Sequence, residues 1–121
     1  MEKVVGIGGV FFKAKDPKAL AAWYLANLGV PVPAGQTYGV FASAGAEEQT
    51  AWSLFPNDSA HFGSSQARMM INYRVNNLVA MLAQLRAAGA IVDEKMEEYD
   101  FGKFGWATDP EGNRFELWEP R

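Results

Sequence analysis

Hydrophobic and polar positions change period several times along the chain, and each change marks an element. Val4 to Phe12 is an unbroken apolar run rich in Val and Phe, which predicts a strand. Asp16-Pro17 follows, a capping residue and a residue suited to the first helical position. Leu20, Trp23, Tyr24 and Leu28 then recur at helical spacing up to Gly29, a natural stop. Tyr38 to Ala42 and Thr50 to Phe55 read as short strands, with breaks at Gly35 and Ser43 to Gly45. The stretch from Pro56 to Gln66 is polar and turn-rich and reads as a linker.

The pattern then restarts. Met69 to Val75 reads as a strand, Asn76 or Asn77 caps a helix, and Leu78, Met81, Leu82 and Leu85 share one helix face before Gly89 ends it. Ile91 opens another extended segment, Phe104 to Thr108 a second and Arg114 to Trp118 a third. Asp109-Pro110-Glu111-Gly112-Asn113 between the last two suits a tight turn. The halves match in order. Ala51-Trp52-Ser53-Leu54-Phe55-Pro56 aligns with Phe115-Glu116-Leu117-Trp118-Glu119-Pro120. Each half reads βαβββ. Neither half can bury its helix and sheet face alone, so pairing them is the economical solution. The expectation is a single domain over 1–121, with one module at about 1–60 and a second at about 67–121.

Composition narrows the chemistry. With 121 residues, 49% hydrophobic and 21% charged, the chain is globular and long enough to need no staple. Cysteine is absent, which excludes disulfide scaffolds, thiol catalysis and Cys-held metals. There is one histidine, His61, in a polar stretch that predicts an exposed loop position. A net charge of −3 offers no basic field for nucleic acid or anionic lipid. No apolar run is long enough to span a bilayer, and MEKVV is unlike a signal peptide, so a cytoplasmic protein is the default. Asp93, Glu94, Glu97, Glu98 and Asp100 lack calcium-loop spacing and read as a solvated hairpin. Gly6-Ile7-Gly8-Gly9 lies inside a strand and lacks the third glycine of a dinucleotide fingerprint.

The stretch Phe104 to Pro120, FGWATDPEGNRFELWEP, resembles the C-terminal signature of the vicinal oxygen chelate superfamily of glyoxalases, bleomycin-resistance proteins and extradiol dioxygenases. Val10 to Val30 and Ile71 to Ala90 look like its two β-α entries. The resemblance implies an α+β fold: two paired βαβββ modules forming a curled mixed sheet around a concave pocket, with helices on the outer face, and commonly a homodimer. In metal-dependent members, ligands come from the first and last strand of each module. Carried over, those positions fall on Gly9, Trp52, Met70 and Glu116, of which only Glu116 suits a hard or borderline cation. No cofactor is therefore expected. A divalent metal enters only under an alternative reading.

With Glu116 facing the pocket, strand alternation puts Arg114 and Trp118 beside it, Phe11 and Lys13 with Gly9, Asn72 and Arg74 with Met70, and Leu54 with Trp52. Trp52, Met70, Asn72, Phe11, Trp118 and Arg114 are thus the expected ligand-pocket residues, and Glu116 is the candidate catalytic residue. An aromatic pocket with one carboxylate suits a flat, partly apolar organic molecule. Metal-independent binding of an aromatic or antibiotic-like compound, as in bleomycin-resistance proteins, is the leading reading. The alternative is a glyoxalase-type lyase or isomerase using Glu116 as acid, base or residual ligand. An extradiol dioxygenase needs two histidines and a carboxylate around iron, which one histidine cannot supply. The expected partners are a small organic molecule and a second copy of the chain, with no nucleic acid and no membrane.

Overall fold

The computed structural model describes residues 1–41, 49–64 and 66–121; the anticipated break at Ser43 to Gly45 lies outside the described residues. The strands are β1 (Val4–Ala14), β2 (Tyr38–Phe41), β3 (Thr50–Pro56), β4 (Met69–Val75), β5 (Ile91–Val92), β6 (Glu97–Tyr99), β7 (Gly102–Thr108) and β8 (Arg114–Pro120). The helices are α1 (Pro17–Leu28) and α2 (Leu78–Ala87). The fold class is α+β, as expected. The chain forms two compact units, one of Gly9–Met69 and one of Met1–Gly8 with Met70–Arg121, so the division falls within β1.

In the unit Gly9–Met69, strands follow the order β2-β3-β1. β3 runs parallel to β1, with Phe11 opposite Ser53, and antiparallel to β2. The side-chain oxygen of Asp16 accepts from the Ala19 N–H at 3.2 Å, which caps α1. Gly29, at φ 65°, closes the helix with its N–H on Leu25 O and Tyr24 O, a backbone conformation that a side chain resists. Ala21 of α1 is buried with Ala14, Val30, Val32, Trp52 and Leu54, and Val10, Phe12, Leu20 and Tyr24 pack against that cluster. Trp23 and Leu28, which recur at helical spacing with Leu20 and Tyr24, stay exposed. The apolar spacing of α1 covers more of its circumference than one sheet face can bury.

In the other unit the order is β4-β8-β7-β5, with β6 also on β7. β4 and β8 are parallel, and β7 is antiparallel to β5, β6 and β8. Asn77 rather than Asn76 caps α2, accepting from Ala80 N–H at 3.0 Å. Leu78, Met81 and Leu82 are buried with Val75 and Leu117, backed by Tyr73 and Phe115. Gly105 permits this approach: a Cβ there would lie 3.0 Å from a Leu82 methyl carbon. The β7–β8 turn is tied by Asp109, whose Oδ1 accepts from the N–H groups of Glu111 and Asn113, each at 2.9 Å.

The acidic stretch forms a hairpin, as read from the sequence, with β6 paired antiparallel to β7. Its carboxylates are not uniformly solvated. Both oxygens of Asp93 accept from Arg114 Nη1, at 2.9 and 3.0 Å, and Glu98 pairs with Arg121. No helix among the described residues is long and apolar enough to cross a membrane.

Candidate functional site

Leu117 faces α2, so alternation along β8 turns Glu116 to the other face of the sheet, as expected. The Glu116 carboxyl group is buried, 1% exposed. Its Oε1 accepts from Asn72 Nδ2 at 2.5 Å, and its Oε2 accepts from Trp106 Nε1 at 2.9 Å. The strands set this up: Asn72 on β4 and Trp106 on β7 are the register partners of Glu116 on either side. Asn72 is also 1% exposed, and its Oδ1 has no hydrogen-bond partner among the described residues. A Cβ on Gly8 would come within 2.2 Å of that oxygen and 2.9 Å of Trp118 Cε3. Glycine at position 8 is therefore what admits the Asn72 amide.

The remaining residues expected beside Glu116 divide as follows. Met70 is buried on β4, two residues before Asn72. Arg114 stands over the Trp106 ring, its guanidinium carbon 5.7 Å from the ring centre, while its charge is matched by Asp93. The Trp118 indole stacks on Phe104, ring centres 6.0 Å apart and 4° from parallel, and its Nε1 donates to Phe101 O at 3.3 Å. Glu116, Asn72, Trp106, Arg114 and Trp118 thus form one face of polar and aromatic groups.

Trp52 requires a correction. It was expected opposite the helices, with Leu54, but both belong to the core under α1. Its ring meets Phe12 at 5.4 Å and Tyr24 at 4.9 Å. The alignment that equated Trp52 with Glu116 is one residue out of step, and a one-residue slip in a strand reverses the face. Phe11 and Asn72 stand equally far before their helix caps, Asp16 and Asn77. Phe11 is opposite Ser53 as Asn72 is opposite Glu116. The counterpart of Glu116 is Ser53. Phe11 itself is buried on the face away from Trp52, in contact with the rings of Phe55 and His61.

His61 also differs from the sequence reading. A short 3₁₀ turn at Ala60–Phe62, with the Ser59 hydroxyl accepting from His61 N–H at 3.2 Å, brings the imidazole onto the sheet. It stacks on Phe55, with ring centres 4.7 Å apart and 9° from parallel. Trp106 was not anticipated as a partner of Glu116. The signal was present: counting outward from Thr108 and Arg114 across the five-residue turn pairs Trp106 with Glu116.

The donor set is a poor fit for the divalent metal of the superfamily's metal-dependent members. Gly9 brings no side chain, Trp52 is turned under α1, and Met70 offers a soft thioether. Ser53, the true counterpart, is a neutral hydroxyl. Asn72 and Trp106 each donate to one oxygen of Glu116, and Glu116 is the one carboxylate in that donor set.

A family profile described as "Glyoxalase-like domain" matches residues 9–118, and the chain belongs to that family, within the vicinal oxygen chelate superfamily. No match is found among curated protein sequences. Among solved structures, it is similar to a Streptomyces coelicolor methylmalonyl-CoA epimerase variant in complex with 2-nitronate-propionyl-CoA. That likeness has a TM-score of 0.76 at 16% identity, covering 98% of this chain and 99% of that one. It is also similar to methylmalonyl-CoA epimerase from Mycobacterium tuberculosis, with a TM-score of 0.68 at 21% identity, covering 98% and 89%. A third similar structure is described as an NAD-dependent benzaldehyde dehydrogenase from Legionella pneumophila, with a TM-score of 0.65 at 17% identity, covering 93% and 98%. At these identities the likeness concerns the fold.

Proposed function

We propose that this protein binds a small, planar, partly apolar organic molecule without a metal, and that Glu116 is the hydrogen-bonding anchor of the ligand. The observation that carries this is the buried carboxylate held between Asn72 and Trp106. Burying a charged or polar group costs folding free energy, and an apolar residue of similar volume serves stability as well or better. A carboxylate offers about four lone-pair sites. Asn72 and Trp106 use one on each oxygen and fix the group's orientation. A ligand N–H or O–H that reaches this carboxyl group forms its bond in a water-poor site, where such a bond is strong. Trp106, Trp118 and Phe104 supply aromatic surface on the same side of the strands, suited to a flat ligand.

The glyoxalase-type alternative gives the same carboxylate a proton-transfer role. The donor arrangement favours the anchoring role, since the Asn72 and Trp106 N–H groups hold Glu116 as an acceptor and its neighbours on that face of β8, Arg114 and Trp118, bring no carboxylate or imidazole. The protein self-associates through apolar side chains left exposed, among them Trp23, Leu25 and Leu28 on α1.

The test is calorimetry with planar heteroaromatic amines, in chelator, on wild type and Glu116→Gln. Binding is expected to persist in chelator and to weaken about tenfold or more in the variant, the size of one charge-assisted hydrogen bond. Binding that vanishes in chelator and returns with a divalent cation contradicts the reading.

A further inference from the structure

We propose that the Glu116 site continues across β7 to Glu97 and Tyr99 of β6, and that its ligand is an elongated aromatic dication held by Glu116 at one end and Glu97 at the other. This rests on the reading of Glu116 as an anchor. The strand register carries the continuity. Glu97 on β6 is opposite Phe104 on β7, and Phe104 is opposite Trp118 on β8. Register partners share a face of the sheet, as do residues two apart in one strand, so Glu97, Tyr99, Phe104, Trp106, Trp118 and Glu116 line one face. The rings meet along it. Phe104, parallel to Trp118, also lies 6.0 Å from Tyr99 and 5.7 Å from Phe101. Tyr99 and Phe101 are stacked with centres 5.3 Å apart, and they are 46% and 62% exposed. They are open aromatic surface at the outer end of a wall that leads to Glu116.

Glu97 gives the outer end its charge. It is exposed, and its Oε2 accepts from the Tyr99 phenol at 3.1 Å. Asp93 is matched by Arg114 and Glu98 by Arg121, whereas among the described residues no Lys or Arg pairs with Glu97. Tyr99 responds to both carboxylates. Its pKa is raised first by the hydrogen bond to Glu97, then by desolvation and by the charges of Glu97 and Glu116. The guanidinium groups of this face stand apart from that end: Arg114 is with Asp93, and Arg74 of β4 lies against Gly6 of β1. Adjacent strands lie about 4.8 Å apart and each residue rises about 3.4 Å. The Cα atoms of Glu97 and Glu116, two strands and two residues apart, are therefore separated by roughly 12 Å. A one-ring cation reaches one carboxylate. Two or three linked rings span both while lying on Phe104 and Trp118. Ring faces and carboxylates alike favour positive charge, which selects a dication over a neutral molecule of the same shape.

Calorimetry in chelator compares 4′,6-diamidino-2-phenylindole with 2-(4-amidinophenyl)indole, which lacks one amidinium. Wild type is expected to bind the diamidine at least about tenfold more tightly. Glu97→Gln should remove that advantage and leave the monoamidine affinity unchanged, and Glu116→Gln should weaken both compounds. Glu111→Gln, at an exposed carboxylate of the β7–β8 turn, should change neither. Equal affinities in wild type, an advantage that survives Glu97→Gln, or an equal loss in Glu111→Gln overturns this inference and leaves the Glu116 reading standing. Monoamidine binding that is unchanged in Glu116→Gln, or no binding of either compound, overturns the Glu116 reading and this inference with it.

Discussion

Asn72 Nδ2 donates to Glu116 Oε1 across 2.5 Å, from the position directly opposite it in the parallel β4–β8 pairing. Removing that donor leaves a buried carboxylate oxygen without it. Asn72→Ala is expected to lower unfolding free energy by about 3 kcal/mol, because an under-satisfied buried charged group costs more than the net value of an average hydrogen bond. Urea denaturation of the two proteins checks this.

Gly8 acts on the same pair from β1. Its missing side chain leaves room for Asn72 Oδ1, which a Cβ would approach to 2.2 Å. Gly8→Ala should cost about 1–3 kcal/mol by displacing the amide. In an Asn72→Ala background the same substitution should cost less, since the clash with the amide has gone and only the 2.9 Å approach to Trp118 Cε3 remains. Additive costs in this double-mutant cycle would show that Gly8 acts otherwise.

Trp52 belongs to the core under α1, in contact with Phe12 and Tyr24. Trp52→Phe is expected to lower stability by about 2 kcal/mol through lost packing. Ligand affinity in the folded protein should be unaffected. Calorimetry on that variant separates the two effects.

Asp109 is held below the ordinary aspartate range, first by the Asn113 backbone N–H, then by the Asn113 side-chain amide, with further N–H groups of Glu111 and Gly112. A carboxyl group with a lowered folded pKa stabilises the fold above its unfolded pKa, and that contribution is lost as pH falls through the folded value. Melting temperatures of wild type and Asp109→Ala should therefore differ most at neutral pH. The gap should close only below the ordinary aspartate range, near about 3.9. A gap that closes near pH 6 would assign it to another group.

Self-association is read by sedimentation. The expected species has twice the 13.3 kDa chain mass at micromolar concentration. A stable monomer contradicts it.

Most of the fold was legible because each element carried its own local chemistry. Asp16-Pro17 and Gly29 bracket α1, Asn77 caps α2 and Gly89 at φ 85° follows its C-cap Ala88, and the DPEGN turn sets the β7–β8 hairpin. Glu116 was legible through the resemblance of Phe104 to Pro120 to the family's C-terminal signature, and the apolar Leu117 beside it agrees with the face it takes. Trp52 was misplaced because Ala51-Trp52-Ser53-Leu54 alternates only weakly in polarity, so composition does not fix which face is buried. The register from Phe11 to Ser53 does. His61 was illegible for a different reason. Its position depends on a short turn folding back over a sheet, and its stacking partner Phe55 is fixed by tertiary contact, not by local pattern. β6 was hidden because its Glu-Glu-Tyr sequence is exposed throughout and is held in place by pairing with β7.

The most direct test of the central claim is the Trp106 indole N–H resonance, since that proton is donated to Glu116 Oε2. Trp106→Phe identifies the peak. During titration with a planar heteroaromatic amine, in chelator throughout, the peak should move along the same saturation curve that calorimetry gives, and Glu116→Gln should weaken both together. Saturable binding that leaves the Trp106 N–H in place, or a shift that appears only after a divalent metal is added, would contradict the account.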